Sequence, residues 1–157
     1  MKYTQTTLNR VFILRLEQDE ILHEVVEQFA KDQGITSAVL WAVGGADADS
    51  RLVVGPRNRA ARPVKPMFTR LPDAHEIAGV GTLFPDNQGN PILHMHIAAG
   101  RRTKTITGCV RSGVKVWQVL EIVLLELGPN QACRLLDPST GFKLLEPTQV
   151  RRGKGKK

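Results

Sequence analysis

Residues 76–110, EIAGVGTLFPDNQGNPILHMHIAAGRRTKTITGCV, decide the fold. Three runs with strand character, Glu76–Phe84, Ile92–Ala98 and Thr105–Val110, are separated by Pro85-Asp86-Asn87-Gln88-Gly89-Asn90 and by Gly100-Arg101-Arg102. Both connections have turn chemistry and are short enough for hairpins. A parallel pair would need a crossover of a dozen residues or more, so the runs predict an antiparallel sheet.

Downstream, Ser112-Gly113 introduces the apolar run Val114–Leu127 as a further strand. Lys115, Glu121 and Glu126 interrupt it, and it is too short and too charged to span a bilayer. Ala132–Leu136 predicts a last strand, and the turn Asp137-Pro138-Ser139-Thr140-Gly141 leads to a short extension, Phe142–Leu145. Upstream, Val11–Leu16 reads as a strand. Within Gln18–Gly34, Ile21, Leu22, Val25, Val26 and Phe29 recur every three or four residues and form one helical stripe, with Asp19 as its cap and Gly34 as its left-handed terminator. Ser37–Val43 reads as a buried strand closed by Gly44-Gly45, and Arg51–Val54 as a further short strand. Pro56–Pro72, with four prolines and Arg57, Arg59, Arg62, Lys65 and Arg70, reads as an irregular, basic, exposed loop. The expectation is an α+β domain over residues 1–150: a central, mostly antiparallel sheet with one main N-terminal helix packed on it.

The 157 residues suit one core of ordinary size. The net charge of +7 suggests nucleic acid until it is divided by region. Arg151, Arg152, Lys154, Lys156 and Lys157 supply five of those charges in a tail, residues 151–157, that reads as disordered. The rest holds 17 basic and 15 acidic groups. The tail can contact phosphates without reading sequence, or serve as a solubilising terminus. Two cysteines make no secreted disulfide framework, and the polar N-terminus has no leader pattern. The expectation is a cytoplasmic chain with no membrane partner.

In Leu93-His94-Met95-His96-Ile97, strand alternation puts both imidazoles on one side. That pair is half a zinc site, or two hydrogen-bonded histidines on a half-buried face. If Thr105–Val110 pairs alongside, Cys109 becomes a candidate third ligand, with Glu76 or water completing the tetrahedron. Cys133 reads as a small buried hydrophobe, His75 as exposed at the start of a strand, and His23 is given no function. Dinucleotide and nucleophile-elbow patterns are absent.

The succession Asp19-Glu20-Ile21-Leu22, the strand ending in Gly44-Gly45, Glu76-Ile77-Ala78-Gly79-Val80-Gly81-Thr82-Leu83, Pro91-Ile92-Leu93-His94-Met95-His96, Thr107-Gly108-Cys109 and Glu121–Leu127 resembles the PPC (plants and prokaryotes conserved) domain from about Val11 to Leu145. The resemblance implies a mixed α/β fold with a central, mostly antiparallel sheet, a homotrimer, and the DNA-binding role generally assigned to free-standing prokaryotic members, whose function is not settled. It also implies a three-histidine site whose first two positions fall on His94 and His96. The third falls on Cys109, a departure that keeps a zinc-competent donor. His75 stands where many members have an aromatic. The tail lacks the Gly-Arg-Pro core of an AT-hook, so no A·T readout is expected. Three readings follow: a trimeric regulatory protein with a zinc site and weak, salt-sensitive DNA association; a metal-dependent enzyme using a zinc-bound water at His94, His96 and Cys109 on a small ligand; or an assembly platform whose histidines serve packing.

Overall fold

The computed structural model describes residues 1–147. In chain order the elements are β1 (Leu8–Glu17), α1 (Leu22–Asp32), β2 (Ala38–Ala46), β3 (Arg51–Pro56), β4 (Pro66–Arg70), β5 (His75–Pro85), β6 (Pro91–Arg101), β7 (Lys104–Cys109), β8 (Val116–Leu127), β9 (Cys133–Asp137) and β10 (Phe142–Glu146). A 3₁₀ turn, Val110–Ser112, follows β7. The first eight strands form one sheet in the order β1-β8-β2-β5-β6-β7-β3-β4, while β9 and β10 make a separate hairpin. Every neighbouring pair in the large sheet is antiparallel, so the architecture is α+β as expected. The helix is modest, with eleven residues.

Burial along β6 alternates residue by residue: Leu93, Met95 and Ile97 are buried, and His94 and His96 are exposed. The buried set joins Leu83 from β5, Leu40 from β2 and Ile122 and Leu124 from β8, and α1 adds Leu22, Val26 and Ala30 to the same core. Spacings of four along α1 place those three side chains in one row.

Four expectations need correction. The helix starts at Leu22, two residues later than a cap at Asp19 would place it; Ile21 occupies the N-cap without a side-chain hydrogen bond. Asp19 instead turns with φ +70°, and the strand region before and at the start of β8 supplies acceptors for this segment. Asp19 N–H donates to Val116 O at 3.1 Å and Leu22 N–H to Val114 O at 2.9 Å. Backbone carbonyls far along the chain thus take up the free N–H at the start of the helix. The C-terminus agrees with its reading: Gly34 has φ +66°, and Ile35 N–H reaches back to Ala30 O at 2.8 Å.

Second, Pro56–Pro72 is not wholly irregular. Pro66–Arg70 forms β4 on the sheet edge, with Val53 opposite Phe68 and the Arg51 guanidinium 4.7 Å from the Phe68 ring. An edge strand can begin with proline because the missing donor interrupts no inner ladder. Third, His75 is 5% exposed, and its Nδ1 lies 2.7 Å from Asp73 O. It does begin a strand, but opposite Ala46 and inside the fold. Cys133 is half-buried rather than buried, and both cysteines are free.

Asp86 fastens the β9–β10 hairpin to the turn between β5 and β6. Its Oδ1 accepts from Gln88 N–H at 2.9 Å and Asn90 N–H at 3.0 Å, and its Oδ2 accepts from Lys143 Nζ at 2.9 Å. The Lys143 ammonium, with those two backbone donors and against the effect of burial, holds the carboxyl at about 2, below its ordinary 3.8. A depressed folded-state value gives stability that is present above the unfolded value and lost as pH falls through the folded one. Asp86→Asn is therefore expected to lower stability at pH 7 and to flatten the fall between pH 4 and 2, read from urea midpoints across that range.

Candidate metal centre

The register carries one row of residues across all eight strands. Ile13 lies opposite Val123, Val123 opposite Trp41, Trp41 opposite Val80, Val80 opposite His96, His96 opposite Cys109, and Cys109 opposite Val53, which faces Phe68 on β4. Directly opposed residues share a face, so His96 and Cys109 come together because β6 and β7 form the tight hairpin their sequence suggests. His94, two residues along β6, joins them on that face. The Nε2 atoms of His94 and His96 are 3.2 Å apart, with ring planes at 78°. The two imidazoles and Cys109 Sγ offer donor atoms that all lie within 4.8 Å of one another.

Tetrahedral zinc with the usual bond lengths needs donor separations of about 3.3 Å between nitrogens and about 3.6 Å between nitrogen and sulfur. The histidine pair already has that spacing, and Cys109 needs a side-chain adjustment of about an ångström at most. The donor set therefore fits zinc. Partial burial of the rings, whose side chains still reach solvent, holds both imidazoles below their ordinary range; Arg134 and Arg111 add to this at His94, and His94 and Arg111 at His96. Neutral imidazoles are the form that binds a metal. Cys109 is 2% exposed, so the thiol forms the floor of the group while the histidines face outward. Glu76 does not join it. It pairs with Gly100, four residues along β5 from the partner of His96, which is about 13 Å at strand spacing.

Gly108 explains why the chain can pass so close here. A Cβ at this position would lie 2.7 Å from Val53 O and 2.9 Å from Leu52 Cβ. Its absence lets β3 approach β7 beside Cys109.

Two arginines beside the histidines were not singled out from sequence. Arg134 is 4% exposed on β9 and donates to Thr82 Oγ1 at 3.0 Å; Thr82 is the cross-strand partner of His94. Arg111 follows the end of β7 by two residues and rests its guanidinium 5.2 Å from the Phe142 ring. A lone charge inside the apolar run Ala132-Cys133-Arg134-Leu135-Leu136 was the available signal for the first. Nothing local marks the second. Arg151, Arg152, Lys154, Lys156 and Lys157 lie outside the described residues. On the segment between β3 and β4, the described residues Arg57, Arg59 and Arg62 are exposed.

This is an α+β domain built on one antiparallel sheet, with a His-His-Cys group on the sheet face that carries His94 and His96. The profile of the Plants and Prokaryotes Conserved (PCC) domain matches residues 3–128, and the chain belongs to that family. No curated protein sequence matches it. Among solved structures, a metal-containing protein from Archaeoglobus fulgidus superposes with a TM-score of 0.80 at 22% identity, covering 92% of this chain and 98% of that one. A plant- and prokaryote-conserved protein from Pyrococcus horikoshii gives 0.77 at 20%, covering 93% and 99%. A candidate DNA-binding protein from Bacteroides thetaiotaomicron gives 0.70 at 17%, covering 91% and 98%. At these identities the likeness establishes the fold. No helix among the described residues is long and apolar enough to cross a membrane.

Proposed function

We propose that residues 1–150 form one regulatory domain that holds zinc through His94, His96 and Cys109, assembles as a homotrimer in the cytoplasm, and associates weakly with DNA. The observation that carries the metal reading is the donor triangle, all within 4.8 Å. The metal-containing relative of the same fold supports it. Zinc with three protein ligands keeps a fourth position for water or another donor.

Self-assembly is supported by the open sheet face. Ile13, Trp41, Val43, Val80 and Val123 are 84%, 48%, 54%, 54% and 41% exposed, and neighbouring strands bring them side by side. A contiguous apolar patch on a folded domain marks a surface that is covered in the functional state. The DNA reading is supported by the candidate DNA-binding relative, by the exposed arginines between β3 and β4, and by the basic tail. Contacts from such groups go to phosphates and carry no sequence information.

The test joins two measurements on the full chain. Native mass spectrometry after zinc loading is expected to show three chains with three zinc ions. Duplex DNA binding is expected to weaken steeply between about 50 and 200 mM salt, a loss on the order of 10³-fold for several phosphate contacts. Truncation after Val150 should remove most of that binding. A metal-free monomer, or DNA binding untouched by truncation, would set aside the corresponding part.

The enzyme reading rests on a separate observation. A cleft of about 600 Å³ includes His94 in its wall, so a small molecule bound there would lie beside one of the proposed metal ligands. In that reading the metal would activate a water.

A further inference from the structure

The same cleft opens between α1, the start of β6 and the β9–β10 hairpin. Arg134 lines it from β9 with 4% of its surface exposed. Its Nε donates to Ile92 O at 3.4 Å, and its Nη2 donates to Thr82 Oγ1 and Thr82 O. Those acceptors are neutral. Among the described residues no carboxylate lies within ion-pair distance of this guanidinium or of Arg111, which lines the same cleft. The nearby acids are already engaged: Glu27 Oε1 accepts from Leu93 N–H at 2.8 Å, and Asp86 Oδ2 holds Lys143.

A guanidinium buried without a counter-charge is costly to the fold unless an anion completes it. Arginine's planar fork matches the two oxygens of a carboxylate or phosphate. A second incomplete group belongs to the same wall: His23, on the first turn of α1, lines the cleft, and its buried Nδ1 has no hydrogen-bond partner. Ile92, Leu144 and Leu145 supply apolar wall.

We infer that this cleft binds a small organic anion, its carboxylate or phosphate group held by Arg111 and Arg134 beside His94 and its apolar body against Ile92, Leu144 and Leu145. The inference deepens the zinc reading by naming the chemical class that would lie beside one of the proposed metal ligands. The arginines hold the anion in their own right, so the two readings can fail separately.

The test is titration calorimetry of the full chain with benzoate and phenyl phosphate, each in metal-stripped and zinc-loaded protein. At least one probe is expected to bind at one site per chain in the stripped protein. Arg111→Gln should weaken it by about tenfold or more, the loss of a charge-assisted contact, whereas Lys31→Gln in the last turn of α1 should not. The tighter probe distinguishes a carboxylate from a phosphate ligand. Arg134→Lys keeps the charge but loses the fork, and should also weaken binding. A thermal melt checks that this variant folds; should it not, Arg111→Gln decides. Arginine-dependent binding in a protein that takes up no zinc supports the cleft and counts against the metal reading alone. Absence of binding by both probes, stripped and loaded, overturns the inference even if zinc binds. So does binding indifferent to Arg111→Gln, or displacement of phenyl phosphate by duplex DNA, which would reassign the arginines to phosphate-backbone contact.

Discussion

Cys109→Ala and His94→Ala are each expected to reduce zinc from about one ion per chain to near none, with an affinity loss beyond the roughly 10- to 100-fold typical of altering a ligand's supporting partner. Each removes one of the three protein donors in the triangle. The histidine variant is the cleaner of the two, because His94 is exposed and contributes little to the core. Metal-stripped His94→Ala should therefore melt close to stripped wild type. The difference should appear on adding zinc: a ligand at about 100 times its dissociation constant stabilises the folded state by about 2.7 kcal/mol, and the variant should lose nearly all of that gain. Cys109 is 2% exposed, so its truncation also leaves a small void and should lower stripped-state stability by about 1 kcal/mol. Cys109→His is the informative reversal, since it supplies a third imidazole and should retain zinc if the pocket accommodates the larger ring. If stripped His94→Ala is strongly destabilised and zinc does nothing to wild type, the two imidazoles are a packing pair joined by their 3.2 Å contact.

The second large effect is on the fold. Gly44→Ala is expected to cost about 3 kcal/mol or more, read as a lowered urea midpoint with an unchanged slope. Gly44 has φ +144°, a backbone region that side chains rarely enter, and a Cβ there would lie 2.8 Å from Leu120 Cα and closer still to Val119 O. Here β2 passes the irregularity in β8, where the register shifts between Gly44 and Gly45 and Gln118 takes φ +58°. Neither backbone can retreat, since β8 also pairs with β1 on its other side and β2 with β5. Gly34→Ala is the control. Its φ is +66° but nothing lies within 4 Å of the added carbon, so only the backbone cost of about 1–2 kcal/mol should appear.

The antiparallel sheet was legible because its information is local. Alternation in Leu93-His94-Met95-His96-Ile97 assigns faces unaided, and a short turn leaves the next strand nowhere to go but alongside. That same locality puts Cys109 on the strand beside His96, and the register sets the two directly opposite each other. The stripe and terminator of α1 were readable for the same reason. Its start was not, because Val114 and Val116 supply acceptors from nearly a hundred residues away. β4 was hidden behind prolines whose cost vanishes only at a sheet edge. His75 was misplaced because polarity predicts exposure, whereas a carbonyl two residues away satisfies its ring inside the fold.

Local patterning was thus enough to set the pairing within the Glu76–Val110 hairpins, the face on which the histidines stand, and the donor types available to them. Which distant groups joined them depended on the folded chain. Folding excluded Glu76, since a residue on a paired strand can still lie four positions away along it. It also brought in Arg134, because β9 folds back from beyond the sheet to meet Thr82. Periodicity fixes the direction in which a strand presents its side chains, but proximity between segments far apart in sequence depends on how the whole core closes.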